Sequence, residues 1–109
     1  MSSELAYLMR LMSAGTKELK TFAVDVFGDP AEIASQLSSG YSRKAIGIYN
    51  NSNAASGEVL WGTSDLSEAN GMVMPKGAFV DVPVSTDLPV YVMNTVSGET
   101  GNLRVVEIA

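Results

Sequence analysis

A chain of 109 residues, 46% of them hydrophobic, holds one domain with a modest core, and its longest apolar run falls well short of a bilayer-spanning helix. It contains no Cys and no His, which excludes disulfides and thiolate metal sites and removes the commonest general base and metal ligand. The net charge of −5 is uneven: residues 1–44 carry five bases and five acids, whereas residues 45–109 carry two bases (Lys76, Arg104) and seven acids, a balance that disfavours tracking a nucleic-acid backbone.

Charged residues make up 17% of the chain, so Ser, Thr, Asn and Gly fill much of the expected surface. Such a surface is buried against another subunit with little charge desolvation. At the N-terminus Glu4 precedes the apolar stretch and no basic segment leads it, a poor match to a secretory signal.

Residues 3–12 predict a short helix: Leu5, Leu8, Met9 and Met12 fall at i, i+3, i+4 and i+7 and form one apolar stripe, with Ser3 as N-cap and Gly15 as stop. A helix this short needs a docking surface. Two readings stand side by side, a lid or tail on its own domain and an arm reaching another subunit. Residues 1–18 are therefore taken as an N-terminal amphipathic arm and residues 19–109 as a β-sandwich domain.

Residues 19–27 read as the first strand, with Phe22, Val24 and Val26 on one face. After the turn at Gly28, Asp29 and Pro30, the spacing of Ile33 and Leu37 suggests one or two helical turns or an irregular crossover. Residues 44–50 form a second strand with Ile46 and Ile48 inward, and Gly47 leaves the outer face thin enough for another backbone to approach. Residues 58–62 are a third strand carrying Trp61, the one Trp in the chain. Short strands follow at 71–74, 78–84, 88–94 and 102–108, with Pro83 marking an edge or a strand end and residues 97–101 a hairpin loop. The whole predicts a mainly β chain, a small antiparallel sandwich or barrel of about seven strands with a short N-terminal helical arm.

Chemistry is harder to find. Ser and Thr are plentiful but lack a His to activate them, and no spacing selects a Ser–Lys pair from Lys17, Lys20, Lys44 or Lys76. The carboxylates Asp65 and Glu68, or Asp81 and Asp87, sit where solvated loop acids are expected, and few aromatic rings are present to make a sugar subsite around them. The loops at 50–53 and 65–70 are rich in oxygen ligands but have ordinary turn composition and no EF-hand spacing. No phosphate-binding glycine motif occurs. No catalytic residue, cofactor or metal ligand is expected. Trp61 suits a core or interface anchor, or a ligand platform shared with Tyr49 or Tyr91. Met9, Met12, Met72, Met74 and Met93 suit either core filling or an adaptable interface.

Five segments carry a resemblance: residues 43–51 (RKAIGIYNN), 59–62 (VLWG), 71–80 (GMVMPKGAFV), 88–93 (LPVYVM) and 101–107 (GNLRVVE). Together they make residues 19–108 resemble small structural proteins of tailed-phage virions. The resemblance implies a β-sandwich virion component without catalytic motifs. Its most specific form is a capsid decoration (cement) protein, assembled in the host cytoplasm and bound to the outer shell through the major capsid protein or another virion protein. A homo-oligomer such as a trimer is expected, with no nucleic-acid or membrane partner. Leu5, Leu8, Met9, Met12 and Trp61 are the expected partner-binding residues. A tail, baseplate, fibre-base or head–tail component of the same fold is the first alternative, and a carbohydrate-binding module the second. An enzyme is the weakest reading.

Overall fold

The alternation of apolar and polar residues becomes two sheets packed face to face. The computed structural model describes residues 17–53, 58–95 and 99–109. The helix expected at 3–12, with Leu5, Leu8, Met9 and Met12, lies outside the described residues, as do residues 54–57 and 96–98.

Eight strands are present in the described residues: β1 (Leu19–Val26), β2 (Ala31–Glu32), β3 (Ala45–Asn50), β4 (Val59–Gly62), β5 (Met72–Met74), β6 (Phe79–Val82), β7 (Tyr91–Asn94) and β8 (Gly101–Ile108). They form two antiparallel sheets in the orders β1-β8-β3-β6 and β2-β7-β4-β5. The architecture is thus a sandwich, not a closed barrel. Its inner faces alternate as the strand period requires. Val26, Ile46, Ile48, Leu103 and Val105 from one sheet meet Val59, Met74 and Val92 from the other, with Ile33 and Val90 closing the core. Full burial of one such side chain contributes about 1.5–3 kcal/mol.

Four expectations need correction. The hairpin expected at residues 97–101 does not form, because the strands it would join, β7 and β8, lie in different sheets. The segment after Pro30 is not helical: Ala31 and Glu32 pair with Val92 and Tyr91, and Ile33 N–H donates to Val90 O while its side chain enters the core. The free edge of β7 offers this segment ladder bonds that outweigh a two-residue helical coincidence. The strand expected at 88–94 begins only at Tyr91, because Pro89 has no N–H for the ladder and Leu88 sits in a turn. The strand expected at 78–84 is shorter, Phe79–Val82, while the strand end and edge position expected from Pro83 are both found.

Side-chain bonds join the layers. Asn50, fully buried at the end of β3, donates through Nδ2 to Met74 O on the opposite sheet at 2.6 Å and accepts Ser52 N–H at 3.0 Å. Gly77, at φ +82°, closes the turn between β5 and β6 in a conformation an L side chain resists, and its N–H returns to Asn50 O. Among the described residues, no buried side-chain polar atom lacks a partner.

Candidate interaction surface

Trp61 stands where sheet register and sandwich geometry coincide. On β4 it lies between Val92 of β7 and Met72 of β5, on the inward face but next to the edge strand. The ring packs against the main core and is itself half-buried. Above it the opposite sheet ends in its own edge strand, β6. Between the end of β4, the end of β6 and the loop before β7 opens a cleft of about 240 Å³, walled by Trp61, Val82, Val84, Leu88, Pro89 and Val90, with Thr63 and Ser64 at its polar end. This is below the usual range of about 300–1,000 Å³ for small-molecule sites. Among the described residues no titratable group lines it. Two large apolar side chains stay exposed around it, Leu88 at 61% on the rim and Met72 at 59% across from Trp61.

The rim is held by a charge buried inside the sandwich. The guanidinium of Arg43 donates from Nε to Val84 O (3.1 Å), from Nη2 to Ser85 O (3.2 Å) and Leu88 O (3.0 Å), and from Nη1 to Glu107 Oε2 (3.1 Å). Glu107 Oε1 accepts Gln36 N–H at 2.6 Å, and Arg43 N–H donates to Thr86 Oγ1 at 3.0 Å. Two charged side chains, 2% and 0% exposed, thereby fix a loop that carries two walls of the cleft. The sequence pointed to Trp61 but not to Val82, Val84, Leu88 and Val90 as its companions, nor to the Arg43 clamp. The available signal was Leu88-Pro89, an apolar residue before a proline that cannot continue a ladder.

A second concavity lies on the outward face of the β1-β8-β3-β6 sheet. It measures about 380 Å³ and is bounded by Thr21, Ala23, Tyr49, Phe79, Arg104 and Val106. Tyr49 therefore belongs to this face, while Tyr91 packs with Leu60, Leu66 and Met93 on the outward face of the other sheet. Trp61, Tyr49 and Tyr91 point to three separate surfaces and make no shared platform.

The loop carboxylates stay apart. Asp65 and Glu68 are exposed in the 63–70 loop, which is tied to itself: Asn70 Nδ2 donates to Asp65 O and Asn70 Oδ1 accepts Ser67 N–H. Asp81 is half-buried on β6 and Asp87 is exposed in the turn. Among the described residues no three acidic side chains gather as a metal site.

No family model matches the chain, and no curated protein does. A solved structure, protein NMB1881 from Neisseria meningitidis, is similar at 14% sequence identity and a TM-score of 0.51, covering 94% of this chain and 96% of that one. At this identity the likeness is one of fold, a sandwich of the same extent.

Proposed function

We propose that this chain is a non-enzymatic structural protein that works by adhesion, and that its role is that of a decoration protein on a tailed-phage capsid. The observation that carries the adhesive part is the Trp61 cleft: an apolar, side-chain-sized opening between the end of β4, the end of β6 and the loop before β7, with exposed Leu88 on its rim, exposed Met72 beside Trp61 in register, and a wall loop tied by a buried ion pair. Apolar anchors in pre-formed pockets concentrate binding energy at interfaces, and many weak copies on a lattice gain avidity. The phage assignment rests on the sequence resemblance of residues 19–108. In this reading Trp61 accepts a side chain of the major capsid protein or of a neighbouring copy, and Leu5, Leu8, Met9 and Met12 add a second contact.

The test is the copy number of the chain in purified particles, by quantitative mass spectrometry against the major capsid protein. One copy per one to a few capsid subunits supports decoration. A handful of copies moves the protein to the tail or head–tail axis, and absence from particles overturns the virion assignment. Deleting residues 1–15 is expected to leave a folded sandwich that no longer attaches.

A further inference from the structure

Of the four sheet edges in the described residues, three are short and bounded by proline. β2 is two residues long and follows Pro30, β5 is three residues long and precedes Pro75, and β6 is four residues long and precedes Pro83. Such edges resist pairing with another chain. The fourth edge, β1, runs eight residues with neither proline nor glycine. It pairs with β8 on one side and, among the described residues, with no strand on the other. The phase of its ladder follows from the first rung, where Glu18 N–H donates to Ala109 O and Ala109 N–H donates to Glu18 O. Rungs of this kind recur at every second residue. Lys20, Phe22, Val24 and Val26 therefore turn their backbone groups to β8, and Leu19, Thr21, Ala23 and Asp25 turn theirs outward. All four of these outward residues have exposed side chains, and on the inner face Phe22 and Val24 reach the core but stay half-buried.

We infer that β1 is the contact between two copies of this chain, joined edge to edge and antiparallel about a two-fold axis at Ala23, so that their β1-β8-β3-β6 sheets become one. Charge selects a second copy in this orientation. Lys17 and Lys20 stand at the start of the segment and Asp25 and Asp29 near its end, while the carboxylate of Glu18 is held by Ser38. Antiparallel self-pairing lays the basic start of each copy against the acidic end of the other, whereas a parallel arrangement sets like charges together. Strand parity then limits the register. Only odd-numbered residues offer outward backbone groups, and inner face must continue as inner face. Centred on Ala23, Thr21 faces Asp25, and the exposed Leu19 faces the exposed Phe27. On the inner face Phe22 of each copy lies opposite Val24 of the other, which covers both half-buried side chains with an aromatic and β-branched pair. Centring on Phe22 instead sets Lys20 against Val24 and Leu19 against Asp25. The inference does not depend on the decoration reading. It leaves the Trp61 cleft open, because that cleft lies by β6, the far edge of the same sheet, and a dimer presents two such clefts.

Sedimentation equilibrium of the full chain over a concentration series tests this. The parent is expected to reach the mass of two chains and go no higher, since a two-fold contact closes on itself. Ala23→Pro removes the outward N–H at the axis without touching the ladder to β8, and Ala23→Lys sets two like charges opposite each other there. Both variants are expected to sediment as single chains, with Trp61 emission as the check on folding. Ala23→Cys, in a chain with no native Cys, is expected to cross-link to itself on mild oxidation, while Met72→Cys, exposed on β5, is not. A parent that keeps the mass of one chain up to about 1 mM, or that exceeds two chains, would overturn the inference. So would folded Ala23→Pro and Ala23→Lys variants that still pair, or cross-linking through Met72→Cys in place of Ala23→Cys.

Discussion

The side chains of Arg43 and Glu107 form an ion pair, Nη1 to Oε2 at 3.1 Å, that is sealed from solvent at the end of the sandwich. Burying two charges is costly and is offset only where the remaining hydrogen-bonding capacity is used. Here it is used, because the guanidinium also holds three carbonyls of the 84–88 loop and the carboxylate holds Gln36 N–H. Arg43→Met leaves Glu107 buried without its partner, and a loss of about 3–5 kcal/mol in unfolding free energy is expected. The double variant Arg43→Met/Glu107→Leu removes both charges and should lose less, although three carbonyls still lose their donor. Urea unfolding followed by Trp61 emission measures both. If Arg43→Met unfolds within about 1 kcal/mol of the parent, the clamp does not hold the loop as described.

Much of the core was legible because it is written in period two. Phe22, Val24 and Val26, Ile46 and Ile48, and Val80, Val82 and Val84 all face inward as their alternation requires. The inward position of Glu107 was not legible. Its neighbours at alternate positions, Leu103 and Val105, mark the inner face, but an acid there makes sense only with Arg43, 64 residues earlier. β2 was hidden for a related reason, since a two-residue strand has no period and its partner β7 lies far along the chain. Of the candidate surface, Trp61 was visible as a lone large aromatic. The cleft was not, because its other walls come from the end of β6 and from the loop before β7, and their meeting is a product of sheet order.

Leu88 provides the cleanest separation of adhesion from folding. It is 61% exposed on the rim of the cleft, so Leu88→Asp is expected to change stability by no more than about 0.5 kcal/mol. Binding to the partner surface should weaken by at least about tenfold, because the charge must be desolvated at the mouth of an apolar pocket. Sedimentation of the variant with particles, beside a urea titration of the free protein, checks both halves. Undiminished binding would remove the cleft from the interface.

Gly71 is expected to tolerate no side chain. A Cβ there would stand 2.7 Å from Leu60 Cβ and 2.9 Å from Leu66 Cδ1, the two residues that seal the outward face of the second sheet with Met93. Gly71→Ala should cost about 1–3 kcal/mol through overpacking. At Gly28 nothing lies within 4 Å of the same added atom, and Gly28→Ala should be neutral or slightly stabilising by restricting the unfolded chain. Comparison of the two unfolding midpoints tests the packing of the 63–71 loop, and equal midpoints would contradict it.

Glu18 sets a pH dependence at the entrance of β1. Its carboxylate accepts the Ser38 hydroxyl at 2.6 Å and the Ser38 N–H at 2.6 Å. These bonds, the hydroxyl first and the N–H second, with a smaller contribution from Lys20, hold its pKa below the ordinary 4.5. A folded-state pKa below the unfolded value means that the ionised form favours folding. The contribution is therefore complete above the unfolded value and is lost as pH falls through the folded one. Glu18→Gln should be modestly less stable than the parent at neutral pH, with the difference shrinking as pH falls from 4.5 downward. Because the group is solvent-screened the effect is small, so the comparison needs urea midpoints of parent and variant measured side by side across the acid range. A difference that is constant with pH would mean that the Ser38 bonds do not depend on the charge of Glu18.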